Sequence, residues 1–339
     1  MKSRREFIKT SATGALLLGS SAAADKLGLA AMLDQSAQHT ATGKSRVVVA
    51  RDAALHGPDG QLDEKRVLAL LDRAIAAYTG RDYPVEAWKR IVPVGKVIGF
   101  KVNGVGGKGI STHLALVLAV CERLQQAGVK PGEIVVWECS CGSLEHAGYT
   151  ISTDRNRIRC IGSDMEGYGY EEKPAAFGVV SVNLARILTR ECDFVINLPV
   201  LKDHDRAGVT FSLKNFYGAI QHPAELHANA CDPAIADLNC IPALRDKFRF
   251  TIGDAMSSVY EGGPVFRPEH FWHPNVLIVG QDPVAIDFTG WKLVARKRAE
   301  MGLPTLESTG RPTTFLVTAA DARHNLGTND PERIHLMEI

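Results

Sequence analysis

Short apolar runs alternate with longer amphipathic stretches along most of this chain. Runs rich in Val, Ile and Phe predict strands at Ser45–Ala50, Val97–Asn103, Ile134–Glu138, Asp193–Asn197, Phe248–Asp254 and Val276–Gly280. Shorter runs at Arg159–Gly162, Val179–Val182 and Thr314–Thr318 add candidate strands. Between them the apolar period lengthens to that of a helix. Val67, Leu70, Leu71, Ala74, Ile75 and Tyr78 share one face over Asp63–Tyr78, with Asp63 as N-cap and Gly80 as stop. Further helices are predicted over Thr112–Ala127, Asn183–Arg190, Ser212–Ile220 and Pro233–Leu244, and from Asp282-Pro283 to Ala299. Strands alternating with helices imply an α/β fold: a largely parallel or mixed sheet, flanked by helices joined through right-handed crossovers. The chain has 339 residues, 45% hydrophobic and 23% charged, enough for a sizeable core. No repeat or low-complexity linker interrupts the alternation, so residues 44–339 read as a single large domain.

The first residues follow a different logic. Ser3-Arg4-Arg5-Glu6-Phe7-Ile8-Lys9 carries the paired arginines of a twin-arginine export signal. A short apolar stretch, Ala15–Leu18, and a small-residue cleavage site, Ala22-Ala23-Ala24, follow. Residues 1–24 are therefore expected to be a signal peptide and 25–43 a flexible tether. The expected location is the periplasm or another exported compartment, and the export machinery is an expected partner. The apolar stretch falls far short of the roughly 20 residues needed to span a bilayer, so no stable membrane span is expected. Lys and Arg number 39 against 38 Asp and Glu, for a net charge of +1, which gives no electrostatic reason to expect nucleic acid. Seven cysteines in an exported chain leave at least one thiol unpaired. Cys139 and Cys141 form a C-x-C at a strand end, whose side chains point the same way and do not readily close a disulfide. They can share a soft metal or be small buried thiols.

The candidate chemistry gathers where apolar strands end. Asn103, Glu138, Asn197, Asp254 and Asp282 each follow or close a strand. In a parallel sheet such ends share one edge, where ligands bind. The loop Asn103-Gly104-Val105-Gly106-Gly107-Lys108-Gly109 contains G-x-G-x-x-G. Its last glycine falls before the following helix, however, which favours generic anion cradling over dinucleotide binding. Lys101, Lys202, Lys214, His204 and Arg206 concentrate positive charge, with Asp203 and Asp205 among them. A desolvated lysine holds an anion or acts as base or nucleophile, and a histidine transfers protons near neutral pH or ligates a metal. On this reading His204, Lys202 and Lys214 are candidate catalytic groups. Lys101, Asn103, Asn197, Asn215, Asp254, Asp282 and Asp287 are candidates for binding the ligand or orienting the basic groups.

His222, His227 and Cys231, spaced H-x4-H-x3-C, are a candidate metal set, to which His270 and His273 can add. The cofactor therefore stays open, with a metal or iron–sulfur cluster among the alternatives. There is no ferredoxin-type cysteine run, and no G-x-S-x-G, H-E-x-x-H or Walker lysine motif.

Four stretches together resemble the domain-of-unknown-function 362 family: Lys101-Val102-Asn103, Asn197–His204, Ser212–Gly218 and Gly280–Asp287. The resemblance covers about residues 97–293. Relatives with twin-arginine signals are expected, and others carry ferredoxin-like iron–sulfur modules that this chain lacks. The resemblance implies a fold and candidate positions but no reaction. Three functional expectations follow. The first is an exported enzyme or cofactor-dependent protein acting on a small anionic ligand at a Lys/His/Asp pocket on the C-terminal edge of the sheet. The others are a metal or iron–sulfur redox protein and a non-catalytic periplasmic binding module.

Overall fold

The structure is a computed structural model that describes residues 43–107 and 109–339. The expected signal peptide, nearly all of the tether, and Lys108 lie outside these residues. One eight-stranded sheet organises the rest. In chain order the strands are β1 (Ser45–Arg51), β2 (Ile98–Val102), β3 (Ile134–Glu138), β4 (Arg159–Gly162), β5 (Ala175–Phe177), β6 (Val180–Val182) and β7 (Phe194–Leu198). They continue as β8 (Lys202–His204), β9 (Gly208–Thr210), β10 (Phe248–Ala255), β11 (Ser258–Val259), β12 (Phe271–Trp272), β13 (Val276–Gly280) and β14 (Ile334–Glu338). The large sheet has the order β14-β1-β13-β10-β7-β2-β3-β4; β5-β6, β8-β9 and β11-β12 are small separate pairs.

Within the large sheet only β13 runs against its neighbours. The sheet is therefore mixed, as the sequence allowed. This has a consequence for the strand-end rule. Asn103, Glu138, Asn197 and Asp254 do share the C-terminal edge. Asp282 follows the antiparallel strand and lies at the opposite edge, where β13 pairs Gly280 with Thr251 and Val47. There it accepts from the backbone N–H of Val284 and Ala285 as the cap of the following helix, and from Ser45 Oγ at 2.5 Å. Asp282 is thus a helix cap and a tie to β1, away from the other strand ends.

Helices cover both faces. On one side lie α1 (Glu64–Thr79), α2 (Pro84–Lys89) and α3 (Leu114–Gln126). The opposite face carries α5 (Ala234–Cys240), α6 (Pro242–Arg245), α7 (Pro283–Glu300) and α8 (Phe315–Ala320); α4 (Cys141–His146) follows β3. The strands serve both faces by alternation. Val48 and Ala50 face the α1 side while Val47 and Val49 face the other. Helix α1 begins where Asp63 accepts from the N–H of Lys65 and Arg66 and ends at Gly80, which adopts φ 67°.

Two ends differ from the sequence expectation. Thr314–Thr318 is not a strand but part of α8, where Phe315, Leu316 and Ala319 are buried. Packing on one helical face outweighs the β preference of its threonines and valine. The last strand is instead β14, parallel to β1 at the sheet edge, with a largely exposed sequence that carries little apolar signal. Among the described residues no helix is long and apolar enough to cross a membrane.

Candidate functional site: a buried lysine cluster at the C-terminal edge

Three lysines from separate parts of the chain converge at the C-terminal edge, all nearly or fully buried. They have different partners, and so different capacities.

Lys101 closes β2. Its Nζ bonds Glu138 Oε1 of β3 at 2.9 Å and the Val102 carbonyl at 2.7 Å. The Lys101–Glu138 pair is sealed from water on both sides. Gly218 lies against it, so closely that a Cβ there would sit 2.7 Å from both charged atoms.

Lys202 opens the β8-β9 hairpin. Its Nζ donates to Asn103 Oδ1 (2.9 Å) and to the carbonyls of Val105 and Ile110 (the latter 3.2 Å). In the protonated form these three acceptors take all three of its hydrogens. Burial, helped by the charges of Lys214 and Lys101 and opposed by Glu138, pushes its pKa down to about 7. Lys202 therefore clamps the glycine-rich loop in place and has no donor left for a ligand.

Lys214 stands at the start of a 3-10 turn, Lys214–Ala219. Its Nζ lies 3.0 Å from His227 Nε2 and 3.8 Å from the centroid of the Tyr217 ring. Among the described residues no carboxylate forms an ion pair with it. Burial lowers its pKa to about 8. Of the three amines it alone has a nitrogen base beside it and no carboxylate or carbonyl acceptor among the described residues.

The asparagines are a scaffold. Asn215 Nδ2 donates to Asn197 Oδ1 (2.7 Å) and the Lys101 carbonyl (3.0 Å). Asn103 Nδ2 donates to Asn215 Oδ1 (3.1 Å), and Asn197 Nδ2 to the Ser212 carbonyl (2.9 Å). This chain of amides locks β2, β7 and the Lys214 turn together. It spends most of its hydrogen-bonding capacity inside the protein. Asp287, on α7, does the same for the turn itself: its carboxylate accepts from the N–H of Ser212 and of Leu213 (3.0 Å). Its burial raises its pKa to about 7. Asp254 is saturated by His113, whose backbone N–H (2.9 Å) and Nδ1 (2.8 Å) both meet it, and by the N–H of Met256. The sequence reading had not singled out His113, since it needs a partner 141 residues away.

His204 ends β8. The N–H groups of Arg206 and Ala207 point at its Nδ1, 3.1 and 3.2 Å away. The Asp205 carboxylate is also 3.1 Å away, but its side chain is largely exposed, and the two backbone donors, that of Ala207 buried, fix Nδ1 as an acceptor. The remaining Nε2–H is then a donor. Burial first, then the positive charges of Lys214 and its neighbours, drives the pKa of His204 down to about 2. A ring held neutral in this way donates a hydrogen bond through Nε2–H. It stacks on His227, ring centroids 5.5 Å apart.

The expected metal set does not assemble. His222 is exposed, His227 turns to Lys214, and Cys231 is buried with its thiol pushed up by burial. Among the described residues no three His, Cys, Asp or Glu side chains are placed to hold a metal ion. Cys139 is pushed up to about 12 by burial and by Glu138. Asp203 pairs away from the lysines, with Arg311 at 3.0 Å. Two surface cavities lie elsewhere, one along β14 and α7, the other at the opposite edge around Ser45, Asp282, Arg249 and Arg333; neither includes a member of the lysine cluster.

The family model of the domain of unknown function DUF362 matches residues 99–292, a span that contains every residue of this cluster. No curated protein matches the chain. Among solved structures, a Thermotoga maritima protein is similar at 12% identity and a TM-score of 0.42, over 69% of this chain and 59% of that one. The lactate racemase apoprotein from Thermoanaerobacterium thermosaccharolyticum is similar at 11% identity and a TM-score of 0.37, over 77% of this chain and 58% of that one. The chain thus spans under two thirds of either protein.

Proposed function

The chain belongs to the DUF362 family, and on that premise we propose that it is an exported α/β protein of enzymatic character that takes a small anionic ligand against Lys214. One observation carries this reading. Lys214 is a buried cation whose partners among the described residues are neutral, the Tyr217 ring face and His227 Nε2, with no carboxylate to balance its charge, and a buried charge without a counter-charge is costly. A stable fold has little reason to keep such a group, whereas a small carboxylate, phosphate or sulfate would supply its missing partner. His204 Nε2–H adds a neutral donor nearby. Lys202 and the asparagines serve by holding the turn and the glycine-rich loop in register.

Thermal unfolding with a panel of acetate, oxalate, pyruvate, phosphate and sulfate tests this. At least one of these anions is expected to raise the melting temperature in a saturable way. Lys214→Met is expected to lose that response. A panel without effect on the folded protein removes the reading. Export belongs to the same proposal and rests on Arg4-Arg5. Replacing both by Lys should retain the chain in the cytoplasm, and undiminished export would end that part.

A further inference from the structure

We propose that Lys214 is a nucleophile that condenses with the carbonyl group of a small anionic aldehyde or ketone, such as a 2-oxo acid, with His227 as its proton acceptor. This rests on the anion-binding reading and goes beyond it, because it assigns a covalent step and a class of substrate.

The geometry selects this pair. The Nδ1 of His227 lies 3.0 Å from the Pro223 carbonyl, which can only accept. Nδ1 therefore carries the ring proton, and Nε2 presents a lone pair. That lone pair is the atom 3.0 Å from Lys214 Nζ. The lysine thus faces a base of fixed tautomer, the arrangement that activates a weak nucleophile. Lys101 is neutralised by Glu138 and Lys202 has its hydrogens occupied, so neither competes. A buried amine with a lowered pKa supports the assignment.

The surroundings suit a reaction that must be opened to substrate. His227 belongs to a surface segment in which His222, Asn229, Ala230 and Cys231 all take positive φ, between 47° and 63°. Asn and His adopt this region readily, whereas for Ala230 and Cys231 it is strained and must be held by the surrounding structure. Tyr217, whose ring lies under the amine, donates its hydroxyl to the Leu226 carbonyl at 2.9 Å and so ties the segment down over it.

The step balances as follows. The Lys214 ammonium passes a proton to His227 Nε2, and the amine adds to the carbonyl carbon to give a carbinolamine. The C–O bond then breaks, the departing oxygen leaves as water after protonation by the His227 imidazolium, and a protonated imine remains. Ammonium plus carbonyl gives iminium plus water, with charge conserved and no oxidant or reductant needed.

Reductive trapping tests the proposal. The protein would be incubated with pyruvate or glyoxylate, reduced with borohydride, and digested for peptide mass analysis. An adduct on Lys214 is expected. It should be absent in Lys214→Arg, which keeps the charge but cannot condense, and should form at least about tenfold more slowly in His227→Gln. Absence of an adduct while these acids still stabilise the protein overturns the covalent step and leaves anion binding standing. An adduct confined to other lysines, or one that forms at the same rate in His227→Gln, also overturns it. No adduct together with no stabilisation by any anion defeats both readings.

Discussion

Lys101 and Glu138, from adjacent parallel strands, meet at 2.9 Å with side chains 0% and 1% exposed. A pair this deep is strongly destabilising to break, because the surviving charge stays buried. Glu138→Gln is expected to lower unfolding free energy by about 3–5 kcal/mol in urea titrations. The double replacement Lys101→Met with Glu138→Leu should recover most of that loss. A single variant as stable as the parent would show that the pair does not exist in solution.

Gly218 tests the same contact from the other side. The Cβ of alanine would press on both charged atoms at 2.7 Å, where real Cβ atoms essentially never approach. Gly218→Ala should therefore destabilise by at least about 1 kcal/mol, in line with overpacking elsewhere. Chemical denaturation measures it, and a neutral result would mean the backbone sits further from the pair.

Lys202 and Lys214 should respond oppositely to removal of charge. Lys202→Met strips the donor from three buried oxygens and frees the glycine-rich loop. A loss of about 2–4 kcal/mol is expected, with faster amide exchange across residues 103–110. Lys214→Met removes a charge that lacks a carboxylate partner and should leave stability unchanged or slightly raised. Equal losses in the two variants would contradict the distinction between clamp and ligand-holding amine.

The pH dependence follows from the lowered pKa of Lys214, about 8 against an unfolded value near 10.5. Between these values the unfolded chain binds more protons than the folded one, so this group makes stability rise with pH. Below about 8 both states are protonated and the penalty is fully present. Relative to Lys214→Met, the parent protein should gain stability between about pH 8 and 10. Urea midpoints of the two proteins across that range are the check, and parallel curves would show an unperturbed lysine.

The sequence revealed the sheet well and the site unevenly. Ile134–Glu138, Arg159–Gly162 and Val276–Gly280 are strands over the same residues that their apolar runs marked. Strand direction was not legible, because an apolar run reads the same either way; hence the misplacement of Asp282. The gathering of Lys101, Lys202 and Lys214 was expected from the concentration of basic residues beside the polar strand ends. Their separate roles were not, since each depends on which oxygen or nitrogen the fold brings to Nζ. His227 drew notice through its spacing to Cys231, yet its partner proved to be a lysine. Tyr217, three residues beyond Lys214, lies in the Ser212–Gly218 stretch, yet nothing in that stretch marked its ring as the surface under the amine.

Calorimetric titration of the parent protein and of Lys214→Met with the small anions tests the central claim most directly. Saturable binding by the parent is expected, lost in a variant whose unfolding curve and circular dichroism are intact. The same affinity in both proteins would contradict the assignment of Lys214 as the anion-holding group.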